Sequence, residues 1–111
     1  MKDSDFFFSK DCPLKDLGGG TSRRVLAHNS QMLIAEVHFD KGSIGSVHTH
    51  EHTQCTYVNK GSFLFNIDGD EKVVKTGDSL VFASNVKHGC KCLEEGILID
   101  VFTPCREDFL K

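Results

Sequence analysis

Hydrophobic and polar positions alternate along much of the chain. Leu33, Ala35, Val37 and Phe39 alternate with Ile34, Glu36 and His38, and Phe63, Phe65 and Ile67 alternate with Leu64 and Asn66. A period of two places the two sets on opposite faces of a β-strand. No stretch of about 12 residues carries the sustained 3.6-residue stripe of an amphipathic helix. Polar residues joined to glycine punctuate the pattern at Asp40-Lys41-Gly42, Asn59-Lys60-Gly61, Asp68-Gly69, Lys75-Thr76-Gly77 and Glu94-Glu95-Gly96. Glycine at such positions adopts positive φ without steric cost. Short β-prone segments between regular turns predict an all-β sandwich or barrel of eight or more short strands. The first ~20 residues read differently. Phe6-Phe7-Phe8 predicts an apolar arm lying over a sheet edge, this chain's own or a partner's, and Gly18-Gly19-Gly20 a flexible turn after it.

Length and composition narrow the picture. The chain has 111 residues, which predicts one domain, with an N-terminal arm at 1–20 and a barrel at 21–111. Apolar residues at 39% and charged residues at 26% exclude a disordered or membrane-embedded chain. Thirteen Lys and Arg against 16 Asp and Glu leave a net charge of -3, with no basic excess for nucleic acid. Apolar runs such as Ile97–Ile99 are too short to span a bilayer. Acidic residues stand where a signal peptide would carry its apolar run, so the expected location is cytoplasmic. The five cysteines (Cys12, Cys55, Cys90, Cys92, Cys105) are an odd number and are expected as free thiols. Cys90-x-Cys92 lacks the second pair of a zinc motif and reads as small buried residues on one strand face.

The candidate chemistry centres on histidine. His48 and His50 are two residues apart, so on a strand both imidazoles project from one face. Gln54 follows four residues later, and His88 lies on a later strand. Three imidazoles and an amide oxygen make a partial coordination shell with positions left for water or substrate. His52 shares the parity of the pair and is a reserve ligand, or a loop residue facing cavity or solvent. His28 and His38, each isolated in its strand, read as ordinary hydrogen-bonded histidines.

The spacing Gly42-x5-His48-x-His50-x3-Gln54-x6-Gly61, followed by Gly77-x10-His88, resembles the two motifs of the cupin superfamily. That superfamily usually has Glu in place of Gln54, Pro and Gly in place of Ala83 and Asn85, and Asn in place of Cys92. The resemblance implies a single-domain cupin, a small double-sheet jelly-roll barrel binding one divalent metal ion (Ni, Zn, Mn or Fe) through His48, His50, Gln54 and His88. A nearer resemblance rests on Asp16-Leu17-Gly18-Gly19-Gly20, Arg23-Arg24-Val25-Leu26-Ala27, Glu36-Val37-His38-Phe39, Asn85-Val86-x-His88-Gly89 and Asp100-Val101-Phe102-Thr103-Pro104-x-Arg106-Glu107-Asp108-Phe109-Leu110. These look like the pectin-degradation cupins of the KdgF type, which also carry Gln at the fourth ligand position. That family converts cyclic 4,5-unsaturated uronates, the monosaccharides left by pectate and alginate lyases, into linear keto-sugars. The resemblance implies Asp100, Phe102 and Arg106 in the reaction.

The residues point the same way on their own. Asp100 is the single charge in Gly96–Phe102, and a carboxyl among apolar neighbours has a raised pKa unless paired, which suits acid–base work. Phe102 shares its strand parity and is placed to flank a sugar ring. Arg106 suits a bidentate clamp on a uronate carboxylate; the other reading is an Asp100–Arg106 salt bridge with no substrate contact. The expected function is metal-dependent ring opening and ketonisation of unsaturated uronates by a homodimer, a net isomerisation served by a redox-silent ion. Gln54, being neutral, leaves the ion's full charge for the substrate anion. Two rivals share the ligands: a metal-dependent cupin oxygenase and a non-catalytic sugar-binding cupin.

Overall fold

Eight strands form from the segments between the turns. The computed structural model describes residues 2–111. The strands are β1 (Lys15–Gly18), β2 (Thr21–His28), β3 (Leu33–Phe39), β4 (Ile44–His48), β5 (Thr53–Ile67), β6 (Asp70–Lys75), β7 (Ser79–Phe82) and β8 (His88–Thr103), with 3₁₀ turns at Ser9–Asp11 and Glu107–Leu110. All strand pairings are antiparallel. The all-β architecture is the one the alternation predicts.

Two strands are far longer than expected. β5 has 15 residues and β8 has 16, because Asn59-Lys60-Gly61 and Glu94-Glu95-Gly96 are bends inside them rather than turns between them. The β5–β8 register breaks between Val58 and Phe63, where the two bends face each other. Gly61 sits at φ +86°, and a Cβ there would lie 2.5 Å from the Glu95 carbonyl oxygen. At Gly96 a side chain would run into the Lys60 carbonyl and the Phe63 ring. Glycine therefore permits a close backbone crossing here that ends no strand.

The bends fold one continuous sheet into two layers. Residues 53–58 of β5 pair with β7 and with the C-terminal part of β8, which continues into β3, β2 and β1. Residues 62–67 of β5 pair with β6 and with the N-terminal part of β8, whose other edge holds β4. Between the layers lie Phe39, Val58, Phe63, Phe65, Phe82, Cys92 and Leu98. Phe39 and Phe63 meet edge to face at 5.2 Å, and Phe65 stacks on Phe82 at 5.9 Å. Cys92 is fully buried and its thiol donates to the Glu94 carbonyl, as a small core residue would. All five cysteines are free; Cys55 is exposed and Cys12 and Cys105 are buried. A second cluster joins Leu33, Ala35, Phe102 and Cys105, with Val25 and Phe109 packed against it.

The N-terminal segment is held near its start and again through β1. The Phe7 ring lies 4.8 Å from the His28 ring, and Asn29 Nδ2 donates to the Asp3 carbonyl. Phe6 and Phe8 stack on each other at 6.2 Å and face solvent. β1 lies within this segment and pairs with β2, Lys15 opposite Arg23. Among the described residues, no helix is long and apolar enough to cross a membrane.

Candidate functional site

Three histidines converge where the two layers open. β4 ends at His48, so His50 stands just past the strand, in the loop before β5. The pair is therefore gathered by a strand end and a loop, not by one strand face. Their ring centroids are 5.5 Å apart. His88 opens β8, pairs in register with His48, and brings its ring within 4.4 Å of His48 and 4.8 Å of His50. One ring nitrogen from each lies within 4.8 Å of the others. His88 is the most buried of the three and stacks on Phe82 at 4.3 Å. The preceding loop closes through Asn85, whose N–H donates to the His50 carbonyl at 2.8 Å. Asn85 takes φ 64°, a region asparagine tolerates better than most residues, so the glycine usual in cupins is not required.

The hydrogen bonds set the tautomers. His48 Nδ1 meets the Ser46 carbonyl at 2.7 Å, His50 Nδ1 the His52 carbonyl at 2.9 Å, and His88 Nδ1 the Val86 carbonyl at 3.0 Å. A carbonyl only accepts, so each Nδ1 carries the proton and each Nε2 presents a lone pair. His88 Nε2 is buried with no partner. His50 Nε2 faces Gln54 Oε1 at 2.9 Å. Thr56 Oγ1 donates to Asp100 Oδ1 at 2.7 Å and so must accept from Gln54 Nε2 at 2.9 Å, which turns the amide oxygen towards His50. Two acceptors thus face each other, and burial holds both His50 and His88 below the usual histidine pKa, against protonation. A divalent cation satisfies all of these lone pairs together. Three imidazole nitrogens and one amide oxygen are a donor set suited to first-row divalent metals.

Asp100 lies two hydrogen bonds from the Gln54 amide. Burial raises its pKa to about 6, against the opposing pull of the Thr56 hydroxyl, Gln54 and Arg106. The cavity beside it has a volume of about 280 Å³ and is lined by His48, Gln54, His88, Asp100, Phe102 and Arg106, among others. Phe102 is almost wholly buried, edge to face with His50 at 5.7 Å and with Phe109 at 5.5 Å, so it braces a histidine as well as lining the cavity. Arg106 does not pair with Asp100. Its Nε and Nη2 donate to the two carboxylate oxygens of Asp108 at 3.0 and 2.8 Å, while its guanidinium lies 4.1 Å from the centre of the Phe109 ring.

His52 stays outside the three-histidine group; its carbonyl, not its ring, supports His50. His38 pairs with Glu36 at 2.6 Å and His28 with the Leu26 carbonyl, both away from the cavity. Sequence reasoning missed Thr56 and Arg23. Thr56 shares the inward parity of Gln54 and Val58, and Arg23 that of Val25, which is the signal that could have found them.

Residues 35–102 match the cupin domain family. The chain is similar to the pectin degradation protein KdgF of Dickeya dadantii, 41% identical over 107 residues that span 95% of this chain and 97% of that protein. It is similar in structure to an RmlC-like cupin from Shewanella frigidimarina (TM-score 0.91, 43% identity, 96% of each chain). The KdgF of a Halomonas species gives a TM-score of 0.90 at 32% identity, over 96% of this chain and 98% of that one. A barrel with three clustered, carbonyl-oriented histidines, and this likeness over nearly the whole length, place the chain in the cupin family, among the relatives of the pectin degradation protein KdgF.

Proposed function

We propose that this protein is a pectin-degradation enzyme that opens 4,5-unsaturated uronate monosaccharides and ketonises them to linear keto-sugars. One observation carries the reading. Two of the three clustered histidines (His48 and His88), Gln54, a carboxyl with a pKa raised to about 6 and two guanidinium groups line a single cavity of about 280 Å³. That volume lies near the lower end of the ~300–1,000 Å³ usual for ligand pockets and suits one sugar ring.

His48, His50, His88 and Gln54 would hold the metal, which when bound supplies Lewis-acid charge to substrate oxygens. Asp100 is the acid–base group. It takes the proton of the anomeric hydroxyl as the bond from carbon 1 to the ring oxygen breaks, leaving an aldehyde and an enolate. The carboxyl then gives that same proton to carbon 4 as the enolate becomes a ketone, so the reaction is a net isomerisation. A pKa of about 6 suits both halves, because a catalytic group works best near the operating pH. Thr56 holds the carboxylate oriented through its hydroxyl. Phe102 fixes the His50 ring and offers an apolar wall. Arg106, with Asp108, gives the rim a charged edge. The test is direct: the metal-loaded protein should abolish the ultraviolet absorbance of lyase-generated unsaturated uronates. Absorbance that persists with Ni, Zn, Mn and Fe alike would refute the reading.

A further inference from the structure

The two guanidinium groups at the cavity are not equally partnered. Asp108 takes both forks of Arg106. Asp100 is occupied by Thr56. Arg23 has no such partner: among the described residues, no carboxylate lies within salt-bridge distance of its guanidinium. Arg23 stands on β2 opposite Val37, which stands opposite Leu98 of β8, and all three line the cavity. Arg24, the next residue, stands opposite Glu36 and lies outside that lining.

The guanidinium of Arg23 lies 3.7 Å from the centre of the Phe109 ring, and that of Arg106 lies 4.1 Å from the centre of the same ring. Stacking on an aromatic face fixes the guanidinium plane and leaves its N–H edge free. Half-buried and close to a second cation, Arg23 is held below its usual pKa, first by desolvation and then by Arg106, with Asp108 pulling more weakly the other way from beyond ion-pair distance. A desolvated cation with five donors and no acceptor is costly until an anion completes it.

We propose that Arg23 grips the carboxylate of the sugar acid, and that Arg106, committed to Asp108, is a positioning residue that holds Phe109 beneath it. The assignment rests on the sugar-acid reading above and names the group that selects a uronate over a neutral hexose. A guanidinium without an ion-pair partner matches one carboxylate. The fork of Arg23 fits it with two parallel hydrogen bonds.

Calorimetry on the metal-loaded protein, with galacturonate and galactose as unreactive probes, tests this without turnover. The wild type should bind galacturonate at least tenfold more tightly. Arg23→Gln should weaken galacturonate by roughly ten- to a hundredfold, the span expected for a charge-assisted bond, and leave galactose unchanged. Arg106→Gln should cost galacturonate less than Arg23→Gln does. Arg23→Lys keeps the charge without the fork and should weaken galacturonate selectively to an intermediate degree; it serves if the glutamine variant does not fold. Arg23→Gln with wild-type discrimination, Arg23→Lys weakening both sugars equally, or a wild type without preference would each overturn the assignment. Failure of the wild type to consume unsaturated uronates would refute the proposed reaction alone. An Arg23-dependent preference for galacturonate would still stand.

Discussion

The two halves of β5 and β8 are built on one plan and end as opposites. Near the bends, the inward positions are Val58, Phe63 and Phe65 on one strand and Cys92 and Leu98 on the other, each at most 5% exposed. Towards the far end, the same alternation turns Gln54, Thr56 and Asp100 inward. The backbone pairing is continuous in kind, so the difference lies in what the side chains leave unfinished. The apolar half satisfies itself by contact. The polar half satisfies only part of itself: Asp100, Thr56 and Gln54 bond in sequence, but His88 Nε2, the His50–Gln54 contact and Arg23 are left needing a cation at one side and an anion at the other. A buried polar group without a partner costs ~1–3 kcal/mol, and His88 Nε2 is such a group within the three-histidine cluster.

The sharpest contrast comes from Asp100→Asn. Turnover should fall by ~10²–10⁴, since an amide cannot carry the proton. Metal content and melting temperature should hold, because the amide oxygen still accepts from Thr56. A large loss of melting temperature would place Asp100 with the structural half instead. Phe63→Ala should do the reverse. Its ring is fully buried against Phe39 and Phe65, and the truncation should cost ~3–5 kcal/mol of stability. Below its lowered melting point the variant should still bind one metal ion per chain, by elemental analysis. Metal lost from folded protein would mean that the halves are coupled.

Metal removal should have an intermediate effect. Free metal at about a hundredfold over its dissociation constant stabilises a folded chain by ~2.7 kcal/mol, so a chelator should lower the melting temperature correspondingly. His48→Ala, an exposed position, should abolish that difference and leave the chelated protein within ~0.5 kcal/mol of the chelated wild type. The imidazoles must be neutral to bind, and burial holds those of His50 and His88 below the usual histidine pKa, so the stabilisation by metal should persist through the ordinary histidine range and shrink only at more acid pH. Stabilisation by metal that survives in His48→Ala would move the site.

Legibility in the sequence follows the same division. Alternation is a local property, and it delivers the strands and the inward residues of β3 and of the C-terminal half of β5. It fails at Asn59-Lys60-Gly61 and Glu94-Glu95-Gly96, where the glycines look like turns; their role depends on a crossing between segments some 35 residues apart. The spacing of His48, His50, Gln54 and His88 exposes the histidine group, although the geometry that gathers it is a strand end, a loop and a second strand. Partners are the least legible. Asp100 and Arg106 are near in sequence and opposite in charge, yet Arg106 turns to Asp108 and Asp100 to Thr56 from another strand. For Arg23 the local sign is only the parity it shares with Val25; the row that seats it at the cavity is completed by Val37 and Leu98 from other strands.

The smallest effect tests whether the rim belongs to the unfinished half. The hydrogen bonds from Arg106 hold the Asp108 carboxyl below its usual pKa. A carboxylate depressed in the folded state adds stability above its unfolded pKa of ~3.9, and that stability is lost as pH falls through the folded value. Asp108 is 57% exposed on its side chain, so water screens the pair and Asp108→Asn should cost no more than ~1 kcal/mol at neutral pH. At pH values below the folded pKa, variant and wild type should melt together. The variant also releases the fork of Arg106 beside the cavity, so galacturonate should bind as tightly as before or more so. Melting curves at neutral and acid pH, paired with one calorimetric titration, separate the outcomes. A loss of several kcal/mol at neutral pH would make the Arg106–Asp108 pair part of the self-sufficient structure. A loss of galacturonate binding at unchanged stability would make Asp108 necessary to the anion site rather than a restraint on one of its cations.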